Sequence, residues 1–376
     1  MNLHKHIKEL AAIKASDAPF ISLYLNTRGT ESGKRQYDTF LKNKLIFFQK
    51  EFADCGEKGK SFQKSWRQIA RYLEQSLELK SNGAALFCRS LPDNDFFLAL
   101  QFPLPLENRF VADGGPHIFP LVQFLDNSHH YMVMISDSEK AKIFEIQFGG
   151  IKDIQHIEKP EEEKSFRGEW TRMHYQNWKK QQTQEFIKQK IKILSDLMQR
   201  NGVEHLILAG DKIMLARIKK ELPKRLQKRV VDFTRLDARR DEYQILRQSI
   251  EIFADFERAE DIDTLESLRR ELLTDGLGVI GTVKTLEALN SGKIDQLIVA
   301  TEYEAPPGWR CLNCDLLGVG SPAEPCLYCG QSSLNEVNLK EEIARRTLLS
   351  GASVETIVYD VWFMRQGGLG ALLRYK

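Results

Sequence analysis

The sequence lacks the features of a membrane or secreted protein. No stretch approaches the roughly 20 consecutive apolar residues that cross a bilayer, and the N-terminus from Met1 to His6 has no apolar signal-peptide core. Six cysteines in 376 residues are too few for a disulfide scaffold, and four of them form two Cys-x-x-Cys pairs. These absences predict a cytoplasmic protein with no membrane partner.

The sequence also lacks an excess of charge of either sign. Its 54 Lys and Arg residues nearly balance 52 Asp and Glu residues, so any contact with nucleic acid depends on local patches. One patch lies between residues 164 and 200, which contain nine basic and three acidic residues, an excess of six positive charges. Tyr175 and Trp178 interleave with these cations, as base-stacking side chains do, although a solvated helix face gives the same pattern.

What the sequence does contain is the composition of an ordinary folded protein, with 42% hydrophobic and 28% charged residues. The length predicts two or three domains, and breaks in the pattern of strands and helices favour three. We expect an N-terminal domain over 1–126, a middle domain over 127–239 and a C-terminal domain over 240–376. Strand-like and helix-like segments alternate, which predicts the α/β (α+β) class.

The middle domain has the clearest order of elements. The segments 131–136 and 142–146 read as the strands of an opening hairpin, and a long polar loop follows at 158–175. The loop leads into a helix over about 176–199 with one apolar face. A buried strand at 205–210 comes next, which predicts a layered α/β fold.

Cys311, Cys314, Cys326 and Cys329 have the spacing of a four-thiolate metal site. Each Cys-x-x-Cys pair can place two sulfur atoms on one ion, and two pairs complete the tetrahedral shell that zinc accepts. Four thiolates leave no open position for water, so the expected role is structural and not catalytic. We predict a zinc ribbon over 308–332 with one ion, and an iron centre with the same ligands is the alternative.

The segment Gly276 to Gly281 matches the G-x-G-x-x-G pattern of dinucleotide-binding sites. That pattern needs a strand before its first glycine, whereas a charged helical stretch, 265–273, precedes this one. A short strand at 278–281 fits better, followed by a helix over 282–290 with Gly292 at its C-terminal cap.

The C-terminal third resembles the last domain of archaeal and eukaryotic class I peptide-chain release factors and of their relative Pelota. A ribbon with four cysteines inserted at this place resembles the archaeal members in particular. The resemblance extends over nearly the whole chain. It is carried by Leu277 to Val279, Lys284 to Val299 and Gly367 to Tyr375, and upstream by Ile21 to Tyr24, Asn82 to Cys88 and Pro120-Leu121.

The resemblance implies an RNase-H-like middle domain and a C-terminal domain with the fold of a kink-turn-binding ribosomal protein. It also implies a Gly-Gly-Gln loop, which in release factors helps water cleave peptidyl-tRNA. Here the equivalent residues are Gly168, Glu169 and Trp170, so only the first glycine matches. A carboxylate and an indole hinder the close backbone approach that a second glycine permits. The segment 26–35 likewise lacks the Asn-Ile-Lys-Ser motif that reads stop codons.

The resemblance therefore implies a divergent tRNA mimic that acts on ribosomes in rescue, quality control or stress, without stop-codon recognition. Its expected partners are the ribosome, at its rRNA and peptidyl-tRNA site, and a translational GTPase. The alternative is an enzyme that hydrolyses peptidyl-tRNA, with Gly168, Glu169 and Trp170 as catalytic candidates. The candidate RNA-binding residues are Arg167, Arg172, Tyr175, Trp178, Lys179 and Lys180.

Overall fold

The computed structural model describes residues 3–29, 37–91, 94–127, 130–159, 172–235, 241–322, 325–326 and 328–376. The chain forms two compact units. Unit 1 consists of Met1–Asn127 and Asp261–Lys376, and unit 2 is Ser128–Glu260. The mixed α/β class with several sheets is confirmed, while the division into three domains stays a prediction. None of the described helices is long and apolar enough to span a membrane.

The N-terminal part of unit 1 is an antiparallel sheet in the order β3-β2-β1-β4 with helices packed on it. The central strands β1 and β2 are apolar and buried along almost their whole length, because both of their faces are covered. The elements are α1 Leu3–Ala11, β1 Phe20–Asn26, α2 Asp38–Glu51, α3 Glu57–Gln75, β2 Gly83–Arg89, β3 Phe96–Phe102, β4 Arg109–Asp113 and α4 Phe119–Asp126.

Unit 2 is built on a five-stranded sheet in the order β7-β6-β5-β8-β9. The strands β5, β6 and β7 are antiparallel neighbours. Strand β8 pairs in parallel with β5, and β9 pairs in parallel with β8. The predicted opening hairpin is therefore confirmed. The elements are β5 His130–Ser136, β6 Lys140–Gln147, β7 Gly150–Glu158, α5 Arg172–Asn201, β8 His205–Gly210, α6 Lys212–Glu221, α7 Lys224–Gln227 and β9 Val230–Thr234.

Helix α5 covers one face of this sheet with the apolar stripe that its sequence predicts. Its buried side chains, which include Phe186, Ile191 and Leu194, join the residues of β5, β6 and β8 in one hydrophobic core. The helix begins at Arg172, earlier than the predicted start near residue 176. Residues 172–175 of the predicted loop therefore belong to the helix.

One lysine lies inside this core. Lys190 is fully buried, and its Nζ donates to Ser136 Oγ at 3.0 Å and to the backbone oxygen of Asp137 at 2.7 Å. The ammonium also lies 3.9 Å from the centre of the Phe186 ring. Burial lowers the pKa of Lys190 to about 8, against the opposing charge of Asp137. Lys190 therefore ties helix α5 to the turn between β5 and β6.

The buried lysine makes the stability of the chain depend on pH. Between pH 8 and the usual lysine value of 10.5, the unfolded chain holds a proton at Lys190 that the folded chain has lost. We expect the wild type to gain on the order of 2 kcal/mol across this range relative to Lys190→Met. Urea unfolding at several pH values measures the gain. The control Lys192→Met changes an exposed lysine of the same helix and should show the same gain in stability as the wild type. Equal pH profiles for both variants would contradict the lowered pKa of Lys190.

The C-terminal part of unit 1 begins within the long helix α8, Glu242–Leu273, and contains a second sheet in the order β10-β16-β11-β15. The predicted strand and helix after Gly276 are confirmed, and Gly292 takes the left-handed conformation expected of a C-terminal cap, with φ +68°. The elements are β10 Gly278–Ile280, α9 Thr282–Asn290, β11 Ile294–Ala300, α10 Leu339–Leu349, β15 Ser353–Ile357, α11 Val361–Arg365 and β16 Leu369–Leu373.

A small three-stranded sheet is inserted between β11 and α10. Its order is β13-β12-β14, with β12 Gly308–Cys311, β13 Leu317–Val319 and β14 Leu334–Val337. The insertion begins at the predicted start of the zinc ribbon, residue 308, but its third strand lies beyond the predicted end at residue 332.

Candidate metal centre and RNA-facing helix

The four ribbon cysteines come together at one end of the small sheet. Their Sγ atoms all lie within 4.8 Å of one another. The Sγ–Sγ distances are 3.6 Å between Cys311 and Cys329 and 3.8 Å between Cys314 and Cys326. Zinc–sulfur bonds of ~2.3 Å in a tetrahedron place the sulfur atoms ~3.8 Å apart, so the four thiols fit one metal ion.

The two halves of the centre have the same backbone geometry. Cys311 N–H donates to the oxygen of Leu316, and Cys326 N–H donates to the oxygen of Gln331, five residues on in each case. The residue four positions after each of these cysteines returns a hydrogen bond to it, and these residues are Asp315 and Gly330. Both have positive φ, +59° for Asp315 and +72° for Gly330. The second pair ends in the glycine that such a turn favours, whereas the first uses an aspartate.

Asp315 is held in its turn by two arginines. Its carboxylate lies 3.0 Å from Arg346 Nη2 and 3.7 Å from Arg310 Nε. Arg310 belongs to the ribbon and Arg346 to helix α10. We call the turn from Cys311 to Leu316 the first knuckle and the turn from Cys326 to Gln331 the second. The contacts of Asp315 therefore join the first knuckle to helix α10. Asp315 was not among the predicted site residues, although its position four residues after Cys311, equivalent to that of Gly330 after Cys326, is visible in the sequence.

Backbone and side-chain donors stabilise thiolates in the second knuckle. The N–H groups of Cys329 and Tyr328 lower the pKa of Cys326. The N–H of Gln331 and the side chain of Asn313 lower the pKa of Cys329 to about 6. Metal ligation requires thiolates, so these donors favour loading of the site near neutral pH.

One thiol of the first knuckle has its pKa shifted in the opposite direction. The N–H of Leu316 favours the thiolate of Cys314, but burial and hydrogen bonds with the other three sulfur atoms outweigh it and raise the pKa to about 12. Four adjacent sulfur atoms cannot all carry a negative charge without a cation between them. The pKa of Cys314 is therefore raised and that of Cys329 lowered, and a metal cation among the sulfur atoms would favour the thiolate form of both.

The ribbon has almost no apolar core apart from these cysteines. Trp309 packs with Cys311 and Cys326, whereas Leu317, the other large buried apolar side chain of the described ribbon residues, joins the main core of the C-terminal part of unit 1. The indole lies directly over Gly318, where an added Cβ would come within 2.3 Å of two ring atoms. So small a core suits a segment that a metal ion bound by its cysteines would stabilise.

The predicted RNA-facing residues are divided between helix α5 and the segment before it. Lys179 and Lys180 are exposed on the helix and Trp178 is half-buried. Arg172 and Tyr175, predicted in the loop, lie in the first turn of the helix. The remaining candidates, Arg167, Gly168, Glu169 and Trp170, lie outside the described residues.

The middle of the chain has a recognisable family signature. Residues 116–254 match the sequence model of Bacterial archaeo-eukaryotic release factor family 10. Over this range the chain is similar to the release factor/Pelota-like superfamily. This confirms the resemblance seen in the sequence. The matched range includes β5 to β9 and α5 to α7, and it contains the predicted loop 158–175.

Solved structures of this superfamily align with most of the chain. The archaeal translation termination factor aRF1 is 17% identical, with 99% of this chain and 97% of aRF1 covered and a TM-score of 0.28. Dom34 of S. cerevisiae, described as a termination-like factor of RNA quality control that interacts with Hbs1, is 10% identical, with 78% and 79% covered and a TM-score of 0.44. Archaeal Pelota in a ribosome-bound arrangement with ABCE1 is 13% identical, with 99% and 94% covered and a TM-score of 0.43. No curated protein matches the chain.

Proposed function

We propose that this protein is a cytoplasmic, release-factor-like tRNA mimic that occupies the ribosomal A site in rescue, quality control or stress. It acts without recognising stop codons, and its partners are the ribosome and a translational GTPase. The observation that carries the proposal is the family match over 116–254. Within this range, the residues that the sequence resemblance equates with Gly-Gly-Gln are Gly168, Glu169 and Trp170. We propose that a scaffold like that of a release factor carries a changed loop tip, defined as Gly168-Glu169-Trp170, in place of Gly-Gly-Gln.

The changed tip favours binding over peptide release. Glycine lets the backbone approach RNA closely, whereas Glu169 adds a negative charge that rRNA phosphates repel. The helix after the tip carries the exposed cations Lys179 and Lys180, which suit contacts with phosphate. Arg167, Arg172, Tyr175 and Trp178 complete the proposed RNA-facing set, with the aromatic rings as stacking partners for bases.

Zinc is the proposed metal of the ribbon. The all-sulfur ligand set and the fit of the Sγ distances to a tetrahedron support it, and a closed shell gives it a structural role. An iron centre has visible charge-transfer absorption, whereas zinc with a filled d shell has none. Elemental analysis combined with an absorption spectrum therefore distinguishes the two metals.

The function is tested with ribosomes that carry labelled peptidyl-tRNA in the absence of a stop codon. We expect the purified protein to cosediment with them and to release no peptide above the spontaneous rate. Lys179→Gln/Lys180→Gln should weaken cosedimentation several-fold at low salt, because two phosphate contacts are lost. Lys192→Gln, a single exposed lysine of the same helix, is the control for folding.

The same assay tests the alternative, in which Glu169 or a neighbouring side chain positions a water molecule for hydrolysis. Peptide release that disappears in Glu169→Ala and Trp170→Ala would make the protein a peptidyl-tRNA hydrolase. Absence of cosedimentation under every condition would remove both ribosomal functions.

A further inference from the structure

Unit 2 carries a second group of cations, on helices α6 and α7. Between Asp211 and Arg229 the chain has eight Lys or Arg residues and two acidic ones, an excess of six in nineteen positions. Seven of the eight are exposed, and Arg229 is half-buried with its Nη1 donating to the oxygen of Val203. The exposed residues are Lys212, Arg217, Lys219, Lys220, Lys224, Arg225 and Lys228.

The two acidic residues of this segment are engaged elsewhere. Asp211 is the N-cap of α6 and accepts from the backbone N–H groups of Ile213 and Met214, both at 2.9 Å. Glu221 Oε1 accepts from Gln184 Nε2 at 2.9 Å. The ion pairs formed by the described residues of unit 2 involve other cations. The positive charge of α6 and α7 is therefore not neutralised within the described part of this unit.

The bond between Glu221 and Gln184 also extends the group onto helix α5. Lys180 and Lys188 are exposed and lie four residues before and after Gln184, so all three share one stripe of α5. This stripe borders the C-terminal end of α6, where Lys220 lies. We group the exposed cations of these neighbouring helices as the basic surface, which we define as Lys180, Lys188, Arg217, Lys220, Lys224 and Arg225.

We propose that the basic surface is a docking site for the phosphate backbone of structured RNA. The proposal rests on the proposed function, in which this RNA is rRNA. A run of uncompensated cations on neighbouring helices suits the closely spaced charges of a nucleic-acid backbone and releases its counterions on binding. The described residues of α6 and α7 include no aromatic side chain that could stack on a base. The surface therefore positions the protein on RNA without reading its sequence.

An acidic protein is the less suitable partner for the same surface. Protein interfaces have an apolar or aromatic centre and are depleted in lysine. Ile213 is the one large apolar side chain of α6 that is strongly exposed, and it adjoins the N-cap and not the C-terminal end. A surface with only charged tips and aliphatic stems lacks the anchor that a stable protein complex requires.

The test removes four cations and keeps the helices. The variant Arg217→Gln/Lys220→Gln/Lys224→Gln/Arg225→Gln is compared with a control that loses the same charge elsewhere. In the control each replaced lysine forms an ion pair with a carboxylate, so its charge is already compensated. The control is Lys5→Gln/Lys60→Gln/Lys64→Gln/Lys376→Gln.

Binding of each full-length protein is measured against ribosomes and against a generic RNA duplex over a series of KCl concentrations. Each phosphate contact contributes ~0.7 to 0.9 to the slope of log affinity against log salt, so loss of four contacts should reduce the slope by about 3. At fixed low salt we expect the basic-surface variant to bind both RNAs at least tenfold more weakly. The control should bind like the wild type, and circular dichroism should show equal helix content in all three proteins.

The outcomes separate this inference from the proposed function. If the variant binds ribosomes and duplex with the wild-type affinity and slope, the docking site is refuted while the ribosomal function stands. If the wild type ignores ribosomes but binds the duplex through this surface, the ribosomal function fails and the RNA site stands. Weaker binding to ribosomes with unchanged binding to the duplex would indicate an acidic ribosomal protein and overturn the RNA assignment.

Discussion

Cys326→Ser is expected to empty the metal centre and to unfold the ribbon while the rest of the chain stays folded. Four thiolates on one zinc ion provide roughly 10 kcal/mol of apparent binding free energy, and this binding is the folding free energy of the segment. A serine hydroxyl does not ionise near neutral pH and is a poor zinc ligand. Cys326 is buried at the centre of the ribbon, so the substitution also places a hydroxyl against Trp309.

Two measurements detect the loss of the metal and the unfolding of the ribbon in Cys326→Ser. Elemental analysis should give about one metal ion per wild-type chain and almost none in the variant. Trypsin should cleave the variant after Arg310, whose side chain is only 12% exposed in the folded ribbon. Cys55→Ser is the matched control, because Cys55 is an exposed cysteine outside the ribbon. Full metal content in Cys326→Ser would show that the four cysteines do not form one site.

Removing the metal should have the same local effect as the substitution. Treatment of the wild type with a strong chelator is expected to expose Arg310 to trypsin, and addition of zinc should restore protection. The main sheets should keep their circular dichroism signal, because their cores do not depend on the ribbon cysteines. Global unfolding on chelation would instead mean that the metal supports the whole chain.

The parts of the fold that follow from local signals could be predicted from the sequence. The strand and helix after Gly276 were predictable because Gly281 and Gly292 have positive φ and therefore mark the two ends of α9. The metal centre was predictable for a similar reason, since four cysteines at fixed spacing define it. Its second knuckle even shows the turn glycine, Gly330.

Strand β7 was not predicted, because its apolar residues have the wrong period. Ile151, Ile154 and Ile157 recur at every third position, whereas an ordinary strand alternates at every second. The structure tolerates this because β7 is an edge strand and its register with β6 shifts at Glu145. A bulge cannot be deduced from the segment that contains it alone, since it depends on the neighbouring strand.

The basic surface was missed for a different reason. The predicted basic patch ended at Arg200, and a buried strand was predicted after it, at 205–210. The excess of cations on α6 and α7 was visible in the sequence. Whether Asp211 and Glu221 form ion pairs with these cations was not, and in the structure both acids bind other groups. Partners of this kind are set by tertiary structure. The same holds for a long-range polar cluster of unit 1, around His117.

Glu341 on helix α10 is expected to be among the most sensitive polar residues of unit 1. Its carboxylate accepts from the backbone N–H groups of Ile118 and Phe119 at 2.8 and 2.7 Å, and these residues lie more than 200 positions away at the start of α4. The other oxygen lies 3.5 Å from Nδ1 of His117, whose Nε2 lies 3.1 Å from Asp113. One carboxylate therefore caps a helix and pairs with a buried imidazolium.

This pairing should make stability fall as the pH rises above neutrality. Burial alone would lower the pKa of His117, but hydrogen bonds to Asp113 and Glu341 and their charges outweigh it and raise the pKa to about 9. A group with a raised pKa stabilises the fold fully below its unfolded value near 6.5, and the contribution is lost as the pH rises through 9. The shift corresponds to roughly 3 kcal/mol between these limits.

Glu341→Gln keeps an oxygen for the two backbone N–H groups but removes the charge, so it should flatten the fall in stability between pH 6.5 and 9. Glu341→Ala leaves two buried backbone donors without their acceptor and removes one of the two carboxylate partners of buried His117. It should lower the free energy of unfolding by ~3 to 5 kcal/mol at pH 6.5. Urea unfolding across this pH range measures both effects. Glu336→Gln, an exposed carboxylate of β14, should leave stability and pH profile unchanged. If Glu341→Gln retained the full wild-type slope, the raised pKa of His117 would not arise from this ion pair.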